Sequence, residues 1–284
     1  MTVFDAILLG LIQGLTEFIP VSSTAHLTLA GKLLGLVDSQ NSAAWTEFMA
    51  IMQMGTLAAV IVYFAGDLFS IIKSVINDLS HRIGKRELIV PSDQTRMGWY
   101  VIVGTIPVGL IGLAFSNQIH GWFTKSTSVI IVSLIVLALL LWLAERSAKH
   151  VRTLESITLK DALIIGTAQA MALIPGSSRS GTTITAGLFL NLTRESAARF
   201  SFLLSIPAVL ASGLYEMMKI DGAFIHLGYG NLIVSTVVAG ISGYAAIAWL
   251  LRYLSRNSTL LFVWYRIGLG LVLLLMLHYN LIQP

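Results

Sequence analysis

Apolar residues fill this chain in runs of about twenty, separated by short polar stretches, and that rhythm sets the first structural expectation. Six runs are each long enough to cross a hydrocarbon core of about 30 Å as one helix: 44 to 65, 97 to 115, 127 to 145, 197 to 219, 232 to 251 and 261 to 280. Two further apolar stretches, 3 to 36 and 158 to 191, are broken near their centres by Pro20-Val21-Ser22-Ser23 and Pro175-Gly176-Ser177-Ser178. Short apolar halves around such a break predict re-entrant helix hairpins, because irregular backbone at membrane depth survives only when buried in protein or facing a wet cavity.

Composition agrees. The 284 residues are 56% hydrophobic and 11% charged, against the roughly 25% charged typical of soluble domains. The predicted fold is an all-α polytopic membrane protein, a single domain over 1 to 284. Met1 to Leu11 carries Asp5 and no Lys or Arg, so no cleavable leader is expected. With no cysteine, disulfides and thiolate metal sites are excluded. The net charge of +4 points to cytoplasmic loops of a membrane protein and not to a nucleic-acid partner.

Loop charge predicts the topology. Lys73, Arg82, Lys85, Arg86 and Arg96 crowd 66 to 96, and Arg146, Lys149, Arg152 and Lys160 crowd 146 to 160, which places both segments in the cytoplasm. By contrast 116 to 126 holds only Lys125, while 220 to 231 and the tail after Arg266 hold no Lys or Arg; these should face outward, with both termini. Six spans thread through these assignments only if 3 to 36 enters and leaves from outside, and 158 to 191 from the cytoplasm. Each half is then one re-entrant hairpin and three spans, about 1 to 150 and about 155 to 284, the second half upside down. Phe18-Ile19-Pro20-Val21-Ser22-Ser23 aligns with Leu173-Ile174-Pro175-Gly176-Ser177-Ser178. In such inverted repeats the broken helices meet near the midplane and build the substrate site.

The first break collects Gln13, Glu17, Ser22, Ser23, Thr24 and His26. Gln13 and Glu17 share a helical face, and Ser23 and His26 lie three apart on the helix that Pro20 helps to start. An ionisable Glu at membrane depth costs about 2.5 to 3.5 kcal/mol on insertion scales and is a functional candidate; the plain alternative is a polar cluster tying helices together. The second break, Gly176-Ser177-Ser178-Arg179-Ser180-Gly181-Thr182-Thr183, opens a half-helix. Its backbone N-H groups, hydroxyls and Arg179 suit an anion, and Gly176 and Gly181 would let backbone approach a phosphate; a Gly/Ser packing seam is the alternative.

Elsewhere the signals are plainer. His120, His150, His226 and His278 fall in loops or near span ends and read as surface or interfacial residues. Gln53 reads as a helix-packing hydrogen bonder, Glu47 as a residue near the site entrance and Glu216 as an interfacial carboxylate. The six tryptophans fall mostly near span ends, as an aromatic belt would. No Walker motif, dinucleotide fingerprint or zinc-ligand pair is present.

Gln-x-x-x-Glu followed by Pro-Val-Ser-Ser-Thr-Ala-His, together with Pro-Gly-Ser-Ser-Arg-Ser-Gly, resembles the bacitracin-resistance family of undecaprenyl-diphosphate phosphatases across essentially the whole chain. The resemblance implies removal of the terminal phosphate of undecaprenyl diphosphate at the outer face of a bacterial inner membrane, with a divalent cation, Mg2+ or Ca2+. It implies recycling of the lipid carrier for peptidoglycan synthesis, and bacitracin resistance. The family's functional positions fall on Glu17, Ser23, His26, Ser178, Arg179 and Thr183. Gln13 stands where better-known members have a second Glu, so Glu17 would be the principal acidic contact to the metal.

Phosphoryl transfer needs charge neutralisation and in-line positioning. Glu17, Ser23, His26 and Arg179 are therefore the candidate catalytic residues. Gln13, Ser22, Thr24, Gly176, Ser177, Ser178, Ser180 and Thr183 are the candidate phosphate contacts. Ser23, His26 or a water that His26 activates could be the nucleophile. The partners expected are the lipid substrate and membrane lipid, with a homo-oligomer allowed. Two rivals share the architecture: a secondary transporter or flippase, and a non-catalytic lipid-binding scaffold.

Overall fold

The computed structural model describes residues 1–36, 42–85, 91–115, 126–218 and 228–282. Among these residues the protein is helical throughout, with no strand beyond one isolated bridge between Arg152 and Leu192. The helices are α1 (Val3–Phe18), α2 (Ser23–Leu33), α3 (Ser42–Tyr63), α4 (Ala65–Lys85), α5 (Asp93–Ala114), α6 (Thr127–Ser147), α7 (Leu159–Ala170), α8 (Arg179–Phe189), α9 (Arg194–Met218), α10 (Tyr229–Leu254) and α11 (Leu260–His278).

Six of them, α3, α5, α6, α9, α10 and α11, are long and apolar enough to cross a membrane, and they are the six expected. The protein is a multi-pass membrane protein. Outward-facing Ile102, Leu110, Val132, Leu139, Ile233, Ile241 and Trp264 are more than half exposed in the isolated chain, as residues solvated by lipid should be. Trp99, Trp142, Trp249 and Trp264 are exposed near the ends of their helices, whereas Trp45 is buried on Phe48; Trp122 lies outside the described residues.

One element differs from expectation. The basic segment after α3 contains a helix, α4, and α5 begins at Asp93, earlier than hydropathy alone suggested. Along α4, Leu68, Ile71, Ile72, Val75, Ile76 and Leu79 recur at helical spacing between charged and polar residues. Ile71 is buried, and its side chain lies against Gly98 of α5. Phe69, Ile72, Ile76 and Leu79 stay exposed, an apolar face suited to the membrane surface.

The two broken stretches fold alike. Thr2 caps α1 and Thr158 caps α7, each in a reciprocal capping box with Asp5 or Asp161. α1, and the 3-10 turn Met171–Leu173 that continues α7, both end before a proline: Ile19 and Ile174 are extended, with ψ of 135° and 122°, because the following ring disfavours helical backbone. The chain then turns through Ser22 (φ 74°) and Ser178 (φ 65°), whose hydroxyls cap α2 and α8 by accepting from Ala25 N and Gly181 N. Thr2 and Thr158, Asp5 and Asp161, Gln13 and Gln169, and Ser22 and Ser178 keep one constant separation along the chain. The caps thus set Ser22 opposite Ser178, one residue away from the register obtained by laying Pro20 on Pro175.

Each first half-helix crosses a span of the other half of the chain at a glycine. A Cβ on Gly10 of α1 would come within 2.5 Å of the Ser235 carbonyl in α10; one on Gly166 of α7 would come within 1.8 Å of the Gly104 carbonyl in α5. Such backbone-to-backbone approach is the usual way helices associate in lipid. Polar ties cluster at the two ends of the bundle. At one, Asn231 bonds the Met1 carbonyl and Lys32 bonds Thr127. At the other, buried Glu145 accepts from Arg194 and from Thr259, while Arg152 joins Asp161 and the Leu190 carbonyl.

Candidate functional site

The two breaks meet over a cavity of about 590 Å³. Glu17, Ser22, Ser23 and Thr24 line it from the first break; Gly176, Ser178 and Arg179 line it from the second. On its wall is the Glu17 carboxylate, buried and fully engaged. One oxygen accepts from Ser23 Oγ at 2.6 Å and from Gln13 Nε2 at 3.1 Å; the other accepts from Gln53 Nε2 at 3.1 Å and from the Arg179 guanidinium. The ion pair joins positions on opposite halves of the chain. Its members are paired and hydrogen-bonded, the condition under which charge is tolerated inside a bundle.

The N-termini of α2 and α8 both open on this cavity, since their capping residues Ser22 and Ser178 line it. Backbone N-H groups at these ends favour an anion, and Arg179 adds a planar cation between them. The arrangement suits a diphosphate and presents a hydroxyl, Ser23, already hydrogen-bonded to a carboxylate.

Other expected site residues stand behind this face. Gln13 is buried against Glu17 and Thr56. Thr183 is fully buried, bonded to the Arg179 carbonyl and Ser201; Ser180 bonds Ser178, and Ser177 is fully buried. None of these four lines the cavity. Gly176 has φ 88° and presses on Ser133 and Ile130 of α6, and a Cβ at Gly181 would sit 2.6 Å from Arg266. Contacts with α6 and α11 explain both glycines, beyond the close phosphate approach their spacing suggested.

His26 is also absent from the cavity wall. Its Nδ1 lies 2.7 Å from the Ser22 carbonyl and its Nε2 2.7 Å from Tyr265 Oη, with the two rings stacked at 5.6 Å. A proton on Nδ1 suits this arrangement, leaving Nε2 to accept from the phenol. The next residue along α11, Arg266, is fully buried and donates to the carbonyls of Gly176 and Ser177 at 3.2 and 3.1 Å. One turn of α11 thus braces both breaks. Tyr265→Phe is expected to slow turnover several-fold, within the range of a lost neutral hydrogen bond of about 1 kcal/mol, with KM nearly unchanged. Steady-state kinetics of the variant check this; a change in KM with kcat as in wild type would overturn the positioning role.

Several cavity residues did not stand out in the sequence. Gln53, expected only to pack helices, bonds Glu17 and lines the cavity; Glu216, expected to be interfacial, also lines it. Gln169 also lines it, fully buried, and neither end of its amide is bonded within the protein. Glu47 is not among the lining residues. His150 has φ 53° and lies 3.9 Å from Glu145, and His278 packs on Tyr279, both away from the cavity. His120 and His226 lie outside the described residues. Among the described residues no group of three His, Asp or Glu gathers as a ready metal site.

Spans, paired breaks and a carboxylate bridging a serine to an arginine define a membrane-embedded protein with a polar centre suited to an anion. The chain belongs to the BacA family of bacitracin resistance proteins, whose model matches residues 6–272. It is 50% identical over 279 residues to the undecaprenyl-diphosphatase of Syntrophobacter fumaroxidans, covering 97% of this chain and 98% of that one. Its identity with the undecaprenyl-diphosphatase of Chlorobium phaeobacteroides is 49% over 283 residues, 96% of each chain. The Myxococcus xanthus enzyme of the same name is 48% identical over 284 residues, all of this chain and 92% of its own.

Proposed function

We propose that this chain hydrolyses undecaprenyl diphosphate to undecaprenyl phosphate and inorganic phosphate, with Glu17, Ser23 and Arg179 as the reacting centre. Membership of the family supplies the substrate, the role in recycling the carrier for peptidoglycan synthesis, and bacitracin resistance. The single observation that carries the chemistry is the Glu17 carboxylate between the Ser23 hydroxyl and the Arg179 guanidinium at the edge of the cavity.

In this reading an arriving diphosphate draws Arg179 away from Glu17, because the guanidinium fork matches phosphate oxygens in two places. Glu17, freed of its cation, takes the Ser23 proton as Oγ attacks the terminal phosphorus. The bond from that phosphorus to the bridging oxygen breaks, and undecaprenyl phosphate leaves. The leaving phosphate carries off the proton that Glu17 took; water then attacks phosphorus, its proton passing through Glu17 to Ser23 Oγ as the phosphoserine bond breaks, which frees inorganic phosphate and restores Ser23. Gln13 and Gln53 hold the carboxylate in place through both steps. His26, bonded to the Ser22 carbonyl, positions the turn that presents Ser23.

A divalent cation, Mg2+ or Ca2+, would fit at the Glu17 oxygen that Arg179 leaves, with phosphate oxygens of the substrate to complete its shell, while the other Glu17 oxygen keeps its bond to Ser23. Bound there, it would neutralise charge developing on the phosphates. Purified protein should release phosphate from undecaprenyl or farnesyl diphosphate, and EDTA should stop the release. Folded protein that releases none would favour a transporter or a scaffold.

For the architecture we propose two re-entrant hairpins, α1–α2 and α7–α8, related as an inverted repeat within one domain. The matched caps, the glycine crossings and the polar ties at opposite ends support it. The cavity is lined by the C-terminal parts of α5 and α9, beyond which the chain is poor in Lys and Arg, so it would open to the periplasmic side of the inner membrane. Cysteines placed at Ser92 and Gly222, the latter outside the described residues, should label from opposite sides in intact cells. Reaction of both with an impermeant thiol reagent would overturn this topology.

A further inference from the structure

The cavity extends well past Glu17 and Arg179, between the C-terminal parts of α5 and α9. Up to their middles these two helices touch: a Cβ on Gly104 would meet a Leu204 methyl at 2.9 Å. Each then carries a proline, Pro107 in α5 and Pro207 in α9. A proline inside a helix removes a backbone hydrogen bond and bends the axis. The lining residues follow at once: Val108, Gly109 and Gly112 on one side, Ala208, Ala211 and Ser212 on the other.

The glycines of this slot differ from those where helices cross. Gly10, Gly14, Gly55 and Gly166 each have a neighbouring backbone atom within 2.5 Å of where a Cβ would stand, so packing requires them. A Cβ at Gly109 would meet nothing within 4 Å, and one at Gly112 only the tip of Leu173 at 4.0 Å. Glycine inside a helix costs about 1 kcal/mol relative to alanine, and packing within the chain does not explain that cost here. What these positions provide is empty space, in line with the reacting centre and walled by small side chains.

We infer that the slot between α5 and α9, beyond Pro107 and Pro207, holds the first part of the substrate's prenyl chain, and that Gly109, Gly112 and Ala211 set how much chain it admits. The inference rests on the phosphatase reading above. The occupant follows from continuity: with the diphosphate at Arg179, whatever is esterified to it must lie in the same cavity, and the slot is the part walled mainly by apolar and small residues. Gly109 and Ala211 are themselves exposed, so the slot lies open along its edge and a long chain can pass out between the helices.

The test is chain-length selectivity in detergent or nanodiscs with full-length protein. Gly109→Leu and Ala211→Phe each put a bulky side chain into open space. Each should lower the ratio of kcat/KM for undecaprenyl diphosphate to that for geranyl diphosphate by about tenfold or more, the scale on which a few methylenes are discriminated in an apolar pocket. Gly268→Leu, on an exposed part of α11 where a Cβ also meets nothing, serves as the control and should leave the ratio as in wild type. Equal change on both substrates in the slot variants, or no change, overturns the inference, since a damaged fold or centre would not distinguish chain lengths. Wild type that hydrolyses neither substrate would instead sink the phosphatase reading.

Discussion

Ser23→Ala is expected to lower kcat by about 10³-fold or more while leaving KM within a few-fold of wild type, because it removes the attacking oxygen and nothing that grips the diphosphate. The Ser23 hydroxyl already donates to Glu17 at 2.6 Å and lines the cavity. Its loss leaves Glu17 bonded to Gln13, Gln53 and Arg179, so the carboxylate should stay in place and the fold should survive. His26 turns its ring toward Tyr265, which predicts a smaller loss for His26→Asn, through the position of the Ser22 turn. Steady-state kinetics on both variants check the order. A larger loss at His26 with a modest one at Ser23 would reverse the assignment.

Arg179→Lys should cost about a hundredfold in kcat/KM although the charge is kept. Arg179 joins Glu17 across the two halves of the chain and must also reach the diphosphate. A lysine can satisfy one such contact as a point charge, but it lacks the planar fork that meets two phosphate oxygens together. The salt bridge to Glu17 could re-form, so thermal stability should fall much less than activity. Near-normal turnover in Arg179→Lys would place this residue in the packing of the breaks and outside the chemistry.

The six spans were legible because a run of about twenty apolar residues has few other uses. The breaks were legible because proline fixes what precedes it: Ile19 and Ile174 are both extended as their neighbours demand. Helix α4 was hidden by its charges, which mark a loop when counted but an amphipathic helix when their spacing is read. Glu17, Ser23 and Arg179 were legible as costly or unusual residues at breaks. Gln53 was not, since an amide in an apolar span looks the same whether it bonds a neighbouring helix or a carboxylate on the cavity wall. Tyr265 and Arg266 read as ordinary span residues, and only the fold brings them to the two breaks. His26 was expected beside Ser23 from its three-residue spacing. Three residues fall about 60° short of a full turn, and on α2 the ring faces α11 instead of the cavity.

The central claim is that Ser23 attacks phosphorus with Glu17 as its base. Rapid quench in acid during turnover of terminally labelled undecaprenyl diphosphate tests it most directly. The account predicts a transient, acid-stable phosphoserine on the peptide containing Ser23, absent in Ser23→Ala. Turnover at the normal rate with no label on that serine, or with an acid-labile label on His26, would contradict it.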